Sequence, residues 1–156
     1  PRNRKVVLLD IGLAQALLDT PASDTFPGWE SLPPTIRGAL TEQLLAQQLI
    51  AARPPWALPE LYYWQRGAGR PGEIDFLVQV KSTVVPVEAK AGATGSLKSL
   101  HQFMYDKGLS NAVRVDANPP SRLDVDLETT QGDRVRYELR TLPPYLVSTL
   151  SRSAVQ

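Results

Sequence analysis

Gly72-Glu-Ile-Asp-Phe-Leu-Val-Gln-Val80 and Thr83-Val-Val-Pro-Val-Glu-Ala-Lys90 are two runs of alternating polar and apolar residues joined by Lys81-Ser82. Alternation on period two over such lengths reads as a pair of strands, 73–80 and 83–90, in a hairpin. A symmetric pairing about the turn sets Asp75 opposite Glu88 and Glu73 opposite Lys90. Glu73, Asp75, Glu88 and Lys90 then share one face, and Ile74, Phe76, Val78, Val85, Val87 and Ala89 the other. A cross-strand ion pair accounts for Glu73 with Lys90. It does not account for Asp75 with Glu88, because like charges directly opposed in a sheet destabilise by roughly 0.2–1 kcal/mol. A divalent cation between the two carboxylates reverses that sign. Mg²⁺ is held by one or two carboxylates plus water and phosphate oxygens, and Lys90 on the same face could orient a water or stabilise developing negative charge.

Outward from the hairpin the chain reads as an α/β domain with a mixed sheet. Val6–Leu9 reads as a short buried strand, followed by a helix that Asp10 caps and that runs to Leu18 with Leu13, Ala14 and Leu17 on its apolar side. The proline-rich residues 19–34 form a loop. Pro34 launches the longest helix, about Thr35 to Ala52, and Pro54-Pro55 stops it. Glu42 lies in that helix's apolar stripe, with Ala39, Leu45, Ala46 and Leu49 at helical spacing, where a carboxylate needs a cationic partner or a role. Residues 60–66 form a strand, Ser96 caps a helix to Lys107, and Gly108 closes it. Strands near 111–116, 123–128 and 134–140 and a short helix from Pro143-Pro144 complete one domain over residues 1–156.

Composition narrows the chemistry. There is no cysteine and one histidine, so disulfide scaffolds, thiolate nucleophiles and His-rich metal clusters are excluded. No run approaches the length of a membrane span, which leads to the expectation of a cytoplasmic protein without a membrane partner. The chain begins Pro1-Arg2-Asn3-Arg4-Lys5 without an initiator methionine, as a domain excised from a longer chain would. Seventeen basic residues against 16 acidic give a net of +1, too even for a protein coated in positive charge. Residues 61–110 are nevertheless locally basic once Glu73, Asp75 and Glu88 are neutralised by a cation. Gly67-Ala-Gly69-Arg-Pro-Gly72 matches a dinucleotide fingerprint in letters only, because a strand and not a helix follows it. Gly92-Ala-Thr-Gly95-Ser-Leu-Lys98 lacks the glycine that precedes the lysine of a phosphate-binding loop.

Together, Glu42 on its helix, Glu-Ile-Asp75-Phe and Val-Glu88-Ala-Lys90 resemble the PD-(D/E)XK nuclease superfamily. With Leu-Leu-Asp10-Ile-Gly12-Leu, Leu-Tyr-Tyr-Trp64 and Leu-Pro-Pro-Tyr145-Leu in that order, nearly the whole chain is similar to the C-terminal domain, of unknown function, that follows the ATPase module in a family of prokaryotic AAA-type ATPases. The resemblance implies a restriction-endonuclease-like αβββαβ core with a mixed sheet flanked by helices. It implies Glu42, Asp75 and Glu88 as ligands for Mg²⁺ (or Mn²⁺), Asp75, Glu88 and Lys90 as catalytic residues, and an N-terminal ATPase domain as partner in the same chain. Glu73-Ile74 stands where the motif proline would be. Gln102 and Tyr105 are three apart, so a Gln–Tyr pair four apart, known in some of these nucleases, is not carried over. Arg66, Arg70, Lys98 and His101 are candidate contacts for nucleic-acid phosphates, with DNA the expected substrate, and Tyr62, Tyr63 and Trp64 could stack on bases or pack in the core. The competing reading is an inactive module of the same fold that binds nucleic acid or protein and regulates the ATPase.

Overall fold

A computed structural model of the chain describes residues 5–20, 28–67 and 72–152. Among these, six strands form one mixed sheet: β1 (Tyr62–Gln65), β2 (Glu73–Val80), β3 (Thr83–Ala89), β4 (Asn111–Val115), β5 (Ser121–Glu128) and β6 (Arg134–Leu142), in the order β1-β2-β3-β4-β6-β5. β4 runs parallel to both β3 and β6, while the other neighbours are antiparallel. Parallel neighbours need a long crossover, and the segment from β3 to β4 supplies it with a helix.

Helices cover both faces. α1 (Ile11–Leu17) is capped by Asp10, whose carboxylate accepts the Leu13 N–H at 2.9 Å. α2 (Pro34–Ala51) starts on its proline, whose missing N–H costs nothing in a first turn. It packs Leu45, Ala46 and Leu49 onto Phe76, Val85, Val87, Val113 and Val115. α3 (Lys98–Lys107) ends on Gly108 at φ 61°, a left-handed cap that glycine adopts freely. Its Leu100, Phe103 and Met104 cover the other face with Ile74, Ala112, Val125, Val135 and Leu139. A 3-10 turn, Pro144–Leu146, leads into α4 (Ser148–Arg152) on the α2 side.

The β2–β3 hairpin pairs as its symmetry predicts, from Val80 with Thr83 to Phe76 with Val87. Against β1, however, Trp64 pairs with Ile74 and Tyr62 with Leu77, so three steps along β2 oppose two along β1. This bulge at Asp75-Phe76 reverses the alternation. Ile74 therefore packs under α3, whereas Phe76, Val78 and Val80 pack under α2, which corrects the expectation that they share a face.

Three further expectations change. Val6–Leu9 is not a buried strand: Val6 is 80 % and Leu9 86 % exposed. The segment lies along α2, where buried Gln43 receives the Leu8 N–H at 3.0 Å and donates to the Leu8 carbonyl at 2.9 Å, as a strand partner would. Of the apolar side of α1 only Ala14 is buried, against Leu32 and Leu40, while Leu13 and Leu17 are exposed. Ser96 stands one residue outside the first turn of α3, whose N-cap is Leu97, and its hydroxyl accepts the Lys98 N–H at 3.4 Å.

Candidate functional site

The bulge aims Asp75. Its carboxylate, on a side chain 13 % exposed, accepts the Ala89 N–H through Oδ2 at 2.8 Å, just beyond the last ladder pair of β2 with β3. From Val87 onward β3 pairs with β4, and the Lys90 N–H goes to the Val115 carbonyl at 2.8 Å. The two strands thus diverge, and Asp75 fills the fork by satisfying a backbone donor that the hairpin no longer reaches.

On the α2 side of the fork the chain supplies its own cation. The Lys5 ammonium lies 2.5 Å from Glu73 Oε1, 3.1 Å from Glu42 Oε2 and 3.5 Å from Asp75 Oδ1. The Lys5 side chain is 23 % exposed, and its ammonium stands 5.7 and 5.9 Å from the ring centres of Tyr63 and Phe76. All of these residues but Glu73 line a cavity of about 250 Å³. Burial by itself would depress the Lys5 pKa. The hydrogen bond to Glu73 and the charges of Glu42 and Asp75 outweigh it and hold the ammonium above its ordinary value. Glu42 is pushed upward, by burial first and then by the Asp75 charge, against the pull of Lys5.

On the other side of the fork stands Glu88, 7 % exposed, with its Oε1 accepting from the Lys90 ammonium at 2.7 Å. Its second oxygen, Oε2, is buried and finds no hydrogen-bond partner. Burial, then the charge of Asp75, pushes the Glu88 carboxyl up to about 7 against the opposing pull of Lys90 and Lys5. Lys90 is held from above: a Cβ built on Gly95 would stand 2.7 Å from Lys90 Cδ, so the loop backbone lies directly on the lysine stem. That loop is pinned through the Ala93 carbonyl, which accepts from Arg114 and Asn118 at 2.9 Å each. Both donors are anchored on the fully buried Asp116.

The expected Glu73–Lys90 pair does not form. The fork separates their strands, so Glu73 turns to Lys5 and Lys90 to Glu88. Nor do the four polar residues share one face: Val87 and Ala89 join the α2-side core, so alternation turns Glu88 and Lys90 away from it, while the bulge turns Asp75 toward Glu42. Arg66 and Lys98 do come together, lining a cavity of about 370 Å³ on the α3 side with Trp64 and Gln102, although Arg66 is already paired with Asp106 at 2.9 Å. His101 is half-buried against β6, its Nδ1 2.9 Å from the Tyr137 hydroxyl, and burial lowers its pKa. Arg70 lies outside the described residues. Trp64 packs on Phe103, with centroids 4.9 Å apart, which favours the core reading for this aromatic. Lys5 is the member of the cluster that the sequence concealed, because its partners lie 37 and 70 residues away.

Among the described residues no three carboxylate or imidazole groups stand together as a metal cage. The smaller set fits a hard divalent ion better. Asp75 and Glu88 are oxygen donors on the two sides of one fork, and Glu88 keeps a buried oxygen without a donor, which a cation would satisfy.

The model of the family described as a domain of unknown function, DUF4143, matches residues 37–120, a span that contains Glu42, the fork and most of the sheet. No curated protein and no solved structure matches the chain.

Proposed function

The chain belongs to the DUF4143 family, and we propose that it hydrolyses phosphodiester bonds of nucleic acid, DNA foremost, by the divalent-metal chemistry of the PD-(D/E)XK nucleases it resembles. In this reading the succession α2-β1-β2-β3-α3-β4 is a restriction-endonuclease-like αβββαβ core, and the domain serves a AAA-type ATPase module of the same protein. The observation that carries the reading is Glu88: a buried carboxylate with one oxygen on Lys90, the other without a partner, and Asp75 across the fork. A salt-bridged hairpin has no use for that second oxygen.

Asp75 and Glu88 would hold Mg²⁺ or Mn²⁺, with Glu42 joining them. When bound, the ion supplies charge that polarises the phosphoryl group and lowers the pKa of a water. The protein does the rest. The Ala89 N–H fixes Asp75 in a single orientation, leaving its other oxygen directed into the cluster. The Gly95 loop and Glu88 hold the Lys90 ammonium in place, where it can stabilise charge building on the non-bridging oxygens. Arg66, Arg70 and Lys98 would carry flanking backbone phosphates, which position a strand without reading its sequence.

Cleavage of supercoiled plasmid and labelled oligonucleotides in Mg²⁺ or Mn²⁺ tests this. Glu88→Ala and Lys90→Ala should each reduce the rate by about 100-fold or more. Activity that survives both substitutions removes the mechanism.

One observation favours a second reading. Lys5 already neutralises part of the cluster, as it would in a non-cleaving module that binds nucleic acid or protein and regulates its ATPase. Calorimetric titration with Mg²⁺ and Mn²⁺, with and without DNA, separates the two: absence of binding at millimolar metal selects the module.

A further inference from the structure

We infer that the cavity on the α3 side is a pocket for the base of an unpaired nucleotide, with Gln102 as the acceptor that holds the base and Lys98 as the partner of its phosphate. The inference rests on the nucleic-acid reading above for its class of ligand. It goes beyond that reading by naming the strandedness of the substrate and a residue that touches the base.

The orientation of one amide carries it. Gln102 is 4 % exposed and lines the cavity of about 370 Å³ with Trp64, Arg66, Lys98 and Ser99. Its Nε2 donates to Asp106 at 2.9 Å and to Asp133 at 3.2 Å, so both amide hydrogens are engaged by carboxylates, which only accept. The amide cannot turn over without setting its oxygen against those two acids. Oε1 is therefore fixed as an acceptor, and it is buried without a hydrogen-bond partner. A buried acceptor without a donor is destabilising. What this place lacks is an N–H or O–H group brought in through the cavity.

The rest of the lining suits the remainder of a nucleotide. Lys98 is exposed in the first turn of α3 and has no ion partner among the described residues. Arg66 is held by Asp106 and lies 5.9 Å from the Trp64 ring centre, so one wall is a fixed cationic and aromatic surface. The volume is near the lower end of small-molecule sites, room for one base and its sugar and not for a base pair. The pocket also adjoins the fork. Gly95, whose backbone rests on the Lys90 stem, precedes Lys98 by three residues, a span of at most about 11 Å. One strand can therefore pass both lysines.

Strandedness follows from the chemistry of the acceptor. Every base carries an N–H or amino donor on its Watson–Crick edge, and a duplex engages that donor and keeps the base stacked. An unpaired base has the donor free and can enter a pocket. An oxygen that only accepts thus selects unpaired over paired nucleotides without selecting one base over another.

Binding to labelled strands in EDTA, read by fluorescence anisotropy, tests this without cleavage. The probes are oligothymidylate, its duplex with oligoadenylate, and the same strand with thymine replaced by difluorotoluene, which keeps the shape of the base and lacks its N3–H. The wild-type chain should bind oligothymidylate about 10-fold more tightly than either of the others. Gln102→Met should lower the thymine strand to the level of the difluorotoluene strand, and Lys98→Ala should weaken both strands alike. Should Gln102→Met fail to fold, the three probes on the wild-type chain decide alone. Equal wild-type affinities for the thymine and difluorotoluene strands, a duplex bound as tightly as the single strand, or a folded Gln102→Met chain that keeps the preference overturns the pocket. The metal-dependent reading then stands or falls by plasmid cleavage. No binding of any probe overturns both the pocket and the nucleic-acid reading.

Discussion

Glu88 is held in a protonation balance that differs from that of a carboxylate in water. Burial and the neighbouring Asp75 push it up to about 7 from an ordinary value of 4.5. The folded chain therefore keeps a proton that the unfolded chain releases between those limits. Stability follows the proton: it is highest near the lower limit and falls as pH rises through 7. The whole window is worth on the order of 3 kcal/mol. Urea midpoints of the metal-free chain should fall from pH 5 to pH 8, and Glu88→Gln, which keeps the shape and removes the titration, should flatten that trend. An unchanged slope in the variant would assign the pH dependence to other groups. The same reasoning explains why Lys90 does not simply cancel Glu88: one hydrogen bond at 2.7 Å leaves the second buried oxygen uncompensated.

At the scale of elements, α2 holds the residues before α1 through side-chain amides. Gln43→Ala removes both bonds to Leu8 and should cost about 1–3 kcal/mol. Hydrogen exchange should show the Leu8 amide losing protection while the β2–β3 amides keep theirs. That segment also shows where a sequence can and cannot be read. The hairpin register, α2 with its initiating proline, the Gly108 cap and the Asp10 cap are set by neighbours in the chain, so period and punctuation expose them. That Asp75, Glu88 and Lys90 lie near one another is legible for the same reason, since they sit on two adjacent strands or one step beyond them, although the single face expected for them is not. Val6–Leu9 is apolar enough for a strand, yet its partner is a glutamine on a helix, which no local pattern signals. The bulge is likewise silent: it is a mismatch between β1 and β2 that appears only when the strands pair, and it moves Ile74 to the opposite core. Glu42 was expected in a packed stripe, and Leu45, Ala46 and Leu49 are buried beside it, but its own side chain turns to a lysine 37 residues away.

Across the whole molecule, the site stands where three kinds of connection meet: a hairpin, a parallel crossover and a contact between Lys5 and the sheet. The near-neutral net charge of +1 is consistent with this, because three of the four acidic groups in residues 61–110 are gathered at the fork and Arg66 and Lys98 line the other side. These connections differ in how much chain must be ordered before they form. The β2–β3 hairpin closes over two residues, β4 must wait for α3, and the Lys5–Asp75 contact spans 70 positions. The cation cluster is therefore expected to form among the last events of folding, after the rate-limiting barrier. Lys5→Met should leave the folding limb of a chevron in place and speed unfolding by about fivefold. A slowed folding limb would put Lys5 in the nucleus instead. With the folding limb unmoved, Lys5 is a kinetic latch: it does not help the sheet to form, and it lengthens the time for which the finished sheet stays closed.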